Sequence, residues 1–467
     1  MTLIKSISGI RGTIGGKSGD ALTPLDVVKF AAAYGAWLKQ KNNQNLKIVI
    51  GRDARLSGKM INDLVCSTLV GMGFHIIDLG LSTTPTVEIA VPLEEAAGGI
   101  ILTASHNPIQ WNALKLLNEK GEFISGADGE ELLKIAEDES FEFADVKQLG
   151  KVEAKDGYFE KHIQMILDLP LVDKAAIEKA NFKIAVDAVN SSGGIVIPML
   201  LRALGVAEVK EIYCEPTGLF AHNPEPLPEN MREISSEVRR GDYDLGIVVD
   251  PDVDRLAFIC EDGEPFGEEY TLVAVADYIL QSTNKKGLTT VSNMSSTMAL
   301  KDVTDKAQGE YHAAAVGEVN VVTKMKAVGA IIGGEGNGGI IYPELHYGRD
   351  ALVGIALFLT QLAKFGKPVG FLRKTYPNYH IAKKKIELTP DINVDEVLEE
   401  IKQKYDRYPI NTEDGVKILF NKEWVHLRKS NTEPIIRIYA ESEFETTASN
   451  LADKIIQDIK EVITQTA

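Results

Sequence analysis

The chain has 467 residues, of which 44% are hydrophobic and 25% charged, and its formal net charge is −17. That length exceeds what one hydrophobic core supports, so three or four domains are expected. The acidic balance argues against nucleic acid or an anionic membrane as partner, since both need a basic face. An anionic small substrate stays compatible with it, because a few focused Arg and Lys residues can build a positive cleft.

Met1 leads directly into Leu3-Ile4-Lys5 without an apolar signal core, and a cytoplasmic location is expected. Thr23-Pro24, with Asp26 close behind, opens an early helix with a capping hydroxyl, a first-turn proline and a carboxylate at the positive helix end. A β-branched run, a polar or glycine-rich loop and a helical stretch then follow one another three times. The first copy is Lys47 to Ile50, Gly51-Arg52-Asp53 and a helix through Ile61 to Val70. The second is Lys183 to Val186, Asp187 to Gly194 and a helix from Ile195 to Leu204. The third, looser copy is Thr289 to Val291, Ser292 to Ser295 and a short helix. Such repeats read as α/β domains with ligand loops at the carboxyl ends of strands. Past about residue 375 the rhythm changes. His380 to Leu388 reads as a strand, Val394 to Tyr405 as a charged helix, Gly415 to Ala440 as strand–loop–strand and Thr446 to Ile463 as a closing helix. The predicted fold class is therefore three α/β domains, 1–155, 156–265 and 266–372, followed by an α+β domain, 373–467. The apolar run Ala351 to Leu362 is too short to span a bilayer. Cys66, Cys214 and Cys260 stand singly and read as reduced thiols.

Four loops carry chemistry. Thr103-Ala104-Ser105-His106-Asn107-Pro108 follows the apolar run Gly99 to Leu102 and presents a hydroxyl at a sheet rim. The bland alternative is a polar turn; a Ser–His–Asp hydrolase is disfavoured by the absence of a Gly-x-Ser-x-Gly elbow and because adjacent Ser and His rarely meet. Asp250-Pro251-Asp252-Val253-Asp254-Arg255 lies between two strand-like runs. Extended backbone would put the three carboxylates on one side, where like charges call for a cation, and an all-oxygen set suits Mg²⁺. An EF-hand is rejected because Arg255 stands where that loop needs glycine. Gly333-Gly334-Glu335-Gly336-Asn337-Gly338-Gly339 lets backbone approach a ligand, with Glu335 and Asn337 suited to sugar hydroxyls; a flexible turn explains it equally well. Arg428-Lys429-Ser430-Asn431-Thr432-Glu433-Pro434-Ile435-Ile436-Arg437 has the composition of an anion cradle, against the alternative of a charged hairpin loop.

Together with Gly9-Ile10-Arg11-Gly12, Asn112 and Lys115, these loops and their order resemble the α-D-phosphohexomutase superfamily over essentially the whole chain. The resemblance implies four domains around a central cleft, with Ser105 as a phosphoserine whose phosphate shares one Mg²⁺ with Asp250, Asp252 and Asp254. It implies that Arg11, Lys115, Arg255 and His106 line the reacting centre. Glu335 and Asn337 would then face the sugar, and Arg428, Ser430, Asn431, Thr432 and Arg437 the phosphate that is not reacting. A hexose phosphate is the implied partner, and a hexose 1,6-bisphosphate the implied intermediate and activator. Two departures stand out: Gly339 where many relatives carry histidine, and Val319 where many carry a basic residue. The Gly-Glu-x-Asn-Gly-Gly loop resembles glucosamine-type and broad-specificity members, so glucosamine phosphate is the expected substrate, with a dual mannose/glucose enzyme as the alternative.

Overall fold

The computed structural model describes residues 2–6, 9–41, 45–283, 285–389, 392–429 and 435–466. The chain forms two compact units, Met1–Tyr278 with Asn337–Leu372, and Ile279–Gly336 with Arg373–Ala467.

The larger unit contains two sheets. The first has seven strands in the order Ile4–Ser6, Gly9–Thr13, Trp111–Leu117, Gly98–Leu102, Lys47–Arg52, His75–Leu81 and Lys151–Ala154. Lys47–Arg52 runs parallel to both of its neighbours, whereas Trp111–Leu117 is antiparallel to Gly98–Leu102 and to Gly9–Thr13, so the sheet is mixed. Successive strand residues point to opposite faces, and both faces are covered. Ile48, Ile50, Ile100 and Leu102 join Phe30, Tyr34 and Trp37 of helix Pro24–Lys41 in one core. Val49 and Ile101 join Val87, Ala90 and Val91 of helix Thr84–Leu93 in another. Burial on both sides explains why these strands read as continuous apolar runs rather than alternating ones.

The second sheet has the order Leu256–Ile259, Leu245–Val249, Lys183–Asp187 and Glu208–Ile212. Leu245–Val249 is parallel to Lys183–Asp187 and antiparallel to Leu256–Ile259, with Val249 opposite Leu256. The acidic loop 250–255 is thus a hairpin connection between two fully buried strands.

In the smaller unit, Thr289–Asn293 lies parallel to Glu310–Ala314 and to Ile332–Glu335. A five-stranded antiparallel sheet follows, ordered His380–Glu387, Ile435–Ser442, Glu423–Lys429, Val416–Phe420 and Ile410–Asn411. Helices Val394–Lys404 and Glu445–Thr466 contribute Val397, Ile401, Ala452, Ile455 and Ile459 to the core on it. The stretch Gly415 to Ala440 corrects the two-strand expectation. It holds three strands, because Asn421-Lys422 turns the chain in two residues with Lys422 at φ 58°, a left-handed geometry typical of tight hairpins.

At the start of the helix beginning at Pro24, Asp26 Oδ2 accepts from Thr23 N at 3.1 Å and from the Thr23 hydroxyl, so the Asp26 carboxylate takes the hydrogen bonds there. Cys66 and Cys260 are buried free thiols and Cys214 is a half-buried one. No helix among the described residues is long and apolar enough to cross a membrane.

Candidate active site

The strand Gly98–Leu102 delivers Ser105 to the sheet rim, where the residue takes a left-handed φ of 49° and is 8% exposed. A non-glycine residue held there stores roughly 1 kcal/mol or more and persists only if its surroundings impose it. Here they do. Thr103 Oγ1 accepts from Ser105 N at 2.9 Å and donates to Asp53 Oδ2 at 2.6 Å. The fully buried Arg55 donates to the main-chain oxygens of Ser105 (2.5 Å), Asn107 (2.6 Å), Pro108 (2.8 Å) and Trp111 (2.9 Å). Its Nε meets Asp53 Oδ2 at 3.1 Å. Sequence reasoning reached Asp53 and missed Arg55; the available signal was a second arginine three residues after Arg52 at the end of the same strand.

Ser105 Oγ donates to Asp250 Oδ2 at 2.7 Å, and His106 Nδ1 lies 3.4 Å from that hydroxyl. The expectation that adjacent Ser and His do not meet is corrected: the left-handed turn at Ser105 swings the next side chain back toward it. The acidic loop is corrected as well. It is a turn rather than extended backbone, with the fully buried Val253 at φ 65°, so the turn and not a strand period gathers the carboxylates. Asp250, Asp252 and Asp254 are all fully buried and offer oxygens within 4.8 Å of one another. Asp252 Oδ2 accepts from Thr84 Oγ1 at 2.6 Å and Lys115 Nζ at 2.7 Å. Asp254 Oδ2 accepts from Arg349 Nη2 at 2.7 Å and Lys115 Nζ at 3.2 Å. Asp252 Oδ1 and Asp254 Oδ1 are buried without a hydrogen-bond partner among the described residues. Bare buried carboxylate oxygens are unfavourable, and a close all-oxygen set is the donor type of Mg²⁺. The residues present therefore fit a divalent cation.

The charges divide by environment. Burial, then the neighbouring Asp252 and Asp254, pushes the Asp250 carboxyl well above the usual carboxylate range. Burial works to raise Asp254 too, but Arg349 and Lys115 hold it well below. For Lys115, burial opposes the charge, yet Asp252 and Asp254 overcome this and hold the ammonium above the usual lysine range. His106 is pushed down to about 2 by burial and then by Arg255, so its imidazole is neutral. Arg11, on the strand Gly9–Thr13 opposite Ala113, has its pKa lowered by burial and by the charges of Arg255 and Arg349. Gly9, at φ 114°, lets this strand approach closely, since a Cβ there would stand 2.2 Å from the Leu114 oxygen. Arg255 Nη1 donates to Glu225 at 2.9 Å, and its Nε is buried without a partner among the described residues. The structure therefore gathers Ser105, His106, Lys115, Arg255 and the three aspartates, with Arg11 in electrostatic reach, and adds Arg55, Thr84 and Arg349.

Asn337, in the larger unit, caps its own turn, its Oδ1 accepting from Gly339 N at 3.2 Å. In the smaller unit Glu335 is 4% exposed, and its Oε1 accepts from Asn293 Nδ2 at 2.8 Å and Gly317 N at 3.0 Å. Arg428 and Arg437 stand opposite each other across two strands, the first ion-paired with Asp414 at 2.7 Å and the second exposed. Ser430, Asn431 and Thr432 lie outside the described residues. His312 pairs with Glu310 at 3.0 Å, and His346 with Asp350 at 3.3 Å.

Four phosphoglucomutase/phosphomannomutase domain families match the chain in order between residues 3 and 457. Alpha/beta/alpha domains I, II and III match residues 3–143, 156–263 and 267–379, and the C-terminal domain matches 383–457. The chain belongs to this phosphohexomutase family. A phosphoglucomutase/phosphomannomutase of Thermococcus kodakarensis is 33% identical over 97% of this chain and 98% of its own. A phosphoglucosamine/phosphogalactosamine mutase of Sulfurisphaera tokodaii is 32% identical over 96% and 97%. The fold matches the crystal structure of a phosphoglucomutase/phosphomannomutase family protein from Burkholderia thailandensis with a TM-score of 0.84, at 24% identity and 98% coverage of both chains. The four sheets are thus those of the four-domain phosphohexomutase fold, and the enzyme is an isomerase-type phosphotransferase.

Proposed function

We propose that this phosphohexomutase interconverts glucosamine 6-phosphate and glucosamine 1-phosphate through a phosphate carried on Ser105. The observation that carries the carrier role is the 2.7 Å contact of Ser105 Oγ with Asp250 beside two bare carboxylate oxygens. A phosphate on that oxygen would meet the loop that fits a cation. Asp250, Asp252 and Asp254 would hold one Mg²⁺, which supplies positive charge against the transferring phosphoryl group. Lys115, kept charged by two aspartates, serves as fixed positive charge rather than as a base, and Arg255 and Arg11 add to it. In the forward step the Ser105 O–P bond breaks while an O–P bond forms to a sugar hydroxyl, giving a bisphosphorylated sugar. The hydroxyl proton leaves as that bond forms and passes to an oxygen of the transferred phosphoryl group, whose ordinary second pKa of about 6 lets it accept the proton; His106, pushed down to about 2 by burial, is too weak a base to take it. Return of the other phosphate to Ser105 regenerates the enzyme.

In this reading Glu335 accepts from the 3- and 4-hydroxyls with Asn337 nearby in the chain, and Arg428, Ser430, Asn431, Thr432 and Arg437 hold the distal phosphate. The domain boundaries near 155, 265 and 372 belong to the same reading. Support for glucosamine comes from the loop Gly334 to Gly339 and from the amino-sugar mutase among the relatives. The 33%-identical glucose/mannose-type relative keeps a dual phosphomannomutase/phosphoglucomutase as the second reading. The test is kcat/KM for glucosamine, glucose and mannose 6-phosphates in a coupled assay with Mg²⁺ and a trace of the matching 1,6-bisphosphate. Glucosamine 6-phosphate should lead. A tenfold preference for either other sugar, about 1.4 kcal/mol in transition-state binding, overturns the sugar and leaves the mutase standing.

A further inference from the structure

The geometry points to a second metal site in the larger unit, a transition-metal site of the zinc type built from His162, His346 and Asp350. Their ligand atoms lie within 4.8 Å of one another, and His162 and Asp350 are fully buried. His162 Nε2 is 2.9 Å and His346 Nε2 3.3 Å from the same oxygen, Asp350 Oδ2. A tetrahedral ion with bonds of roughly 2.0–2.1 Å has ligand–ligand edges of about 3.3 Å; the His346 edge is at that figure and the His162 edge, at 2.9 Å, is shorter and would open slightly around an ion. Two imidazoles with one carboxylate is also a donor set that favours zinc-like ions over Mg²⁺. The set therefore differs in kind from the all-oxygen loop at Asp250.

The simpler alternative is that Asp350 only caps a helix and pairs two histidines. Asp350 does cap helix Ala351–Phe365, but with its other oxygen: Oδ1 accepts from Leu352 N at 2.7 Å and Val353 N at 3.3 Å. Oδ2 is left as the common point of both imidazoles. The far nitrogens then bear on the choice. His346 Nδ1 lies 3.5 Å from Glu88 Oε2, and His162 Nδ1 3.0 Å from Thr86 Oγ1. With a metal on Nε2, the Nδ1 side of each histidine would face an oxygen of helix Thr84–Leu93. A ligating histidine whose other nitrogen is held by a carboxylate or hydroxyl is the usual outer arrangement of a zinc site. Gly348 lets the loop close on Glu88, since a Cβ there would stand 1.9 Å from Glu88 Oε2.

The three ligands come from helix Tyr158–Leu167, the loop at His346 and the start of helix Ala351–Phe365, and the outer partners come from helix Thr84–Leu93. A bound ion would clamp these segments. It would also sit next to the reacting centre in the chain, because Arg349 precedes Asp350 and reaches Asp254, and Thr84 on the outer helix reaches Asp252.

The probe is Co²⁺, added to metal-stripped full-length protein carrying Asp252→Asn and held in excess Mg²⁺, so that the acidic loop does not compete. One Co²⁺ per chain should bind, with the visible absorption of tetrahedral nitrogen–oxygen coordination. Adding His346→Gln should lower affinity at least about a hundredfold and remove that absorption. Adding Glu88→Gln, which alters no ligand, should lower affinity roughly 10–100-fold, and it serves as readout if the histidine variant misfolds. Absence of Co²⁺ binding, or unchanged affinity in both added variants, overturns the site.

Discussion

Arg55 Nη2 donates a 2.5 Å hydrogen bond to the main-chain oxygen of Ser105, so a buried guanidinium from outside the serine loop joins Thr103 in fixing the turn that carries the hydroxyl. Arg55→Ala strands the buried Asp53 and frees four carbonyls. Loss of about 3–5 kcal/mol of stability is expected in urea unfolding. Arg55→Lys keeps the charge without the planar fork, and kcat should fall at least about tenfold while the fold survives. A wild-type unfolding midpoint for Arg55→Ala would remove this role.

Lys115 neutralises Asp252 and Asp254, so its removal makes the acidic loop more negative. Lys115→Met should therefore bind Mg²⁺ more tightly than the wild type in calorimetric titration while turning over far more slowly. Weaker Mg²⁺ binding in this variant would contradict the electrostatic account of the loop.

Stripping divalent cations should abolish turnover, and Mg²⁺ should restore it, because two buried oxygens in the loop otherwise lack a partner. Asp252→Asn should raise the Mg²⁺ concentration needed for half-maximal rate. Full activity in metal-free buffer would remove the cation from the mechanism.

His426 gives a pH prediction in the smaller unit. It is 1% exposed, with Ser295 Oγ 2.9 Å from Nδ1 and the Asp414 main-chain oxygen 2.6 Å from Nε2. Burial is the main cause that pushes its pKa down to about 4, with Lys417 adding to the effect. The unfolded chain binds the proton first, so this contribution is fully present above pH 6.5 and is lost as pH falls from there toward 4. The loss is at most about 3 kcal/mol. Unfolding free energies at pH 7.5 and 4.5 should differ less in His426→Gln than in the wild type; an equal difference would show that His426 is not the titrating group.

The sequence made legible what is local. Apolar runs ending in Thr103 and Asp250 announced buried strands with loops at their ends, and the serine and aspartate motifs announced the chemistry. Missed features depend on distance or on backbone sign. Arg55 reaches Ser105 across 50 positions and Arg349 reaches Asp254 across 95, and no local pattern encodes either pairing. The turn that gathers the carboxylates depends on a left-handed Val253, which β-branched residues disfavour. An extended loop was therefore the natural reading. The extra strand after Phe420 was hidden because Asn421-Lys422 lacks the glycine that usually marks a two-residue hairpin.

The central claim is that Ser105 carries the phosphate. Peptide mass spectrometry of the enzyme after incubation with isotopically labelled hexose 1,6-bisphosphate tests it most directly. Label should appear on the peptide containing Ser105, and unlabelled hexose phosphate should then remove it at a rate matching turnover. Ser105→Ala should stay folded, lose the label and fall by several orders of magnitude in kcat. Exchangeable phosphate on a different residue, or near-normal turnover in Ser105→Ala, would contradict the account.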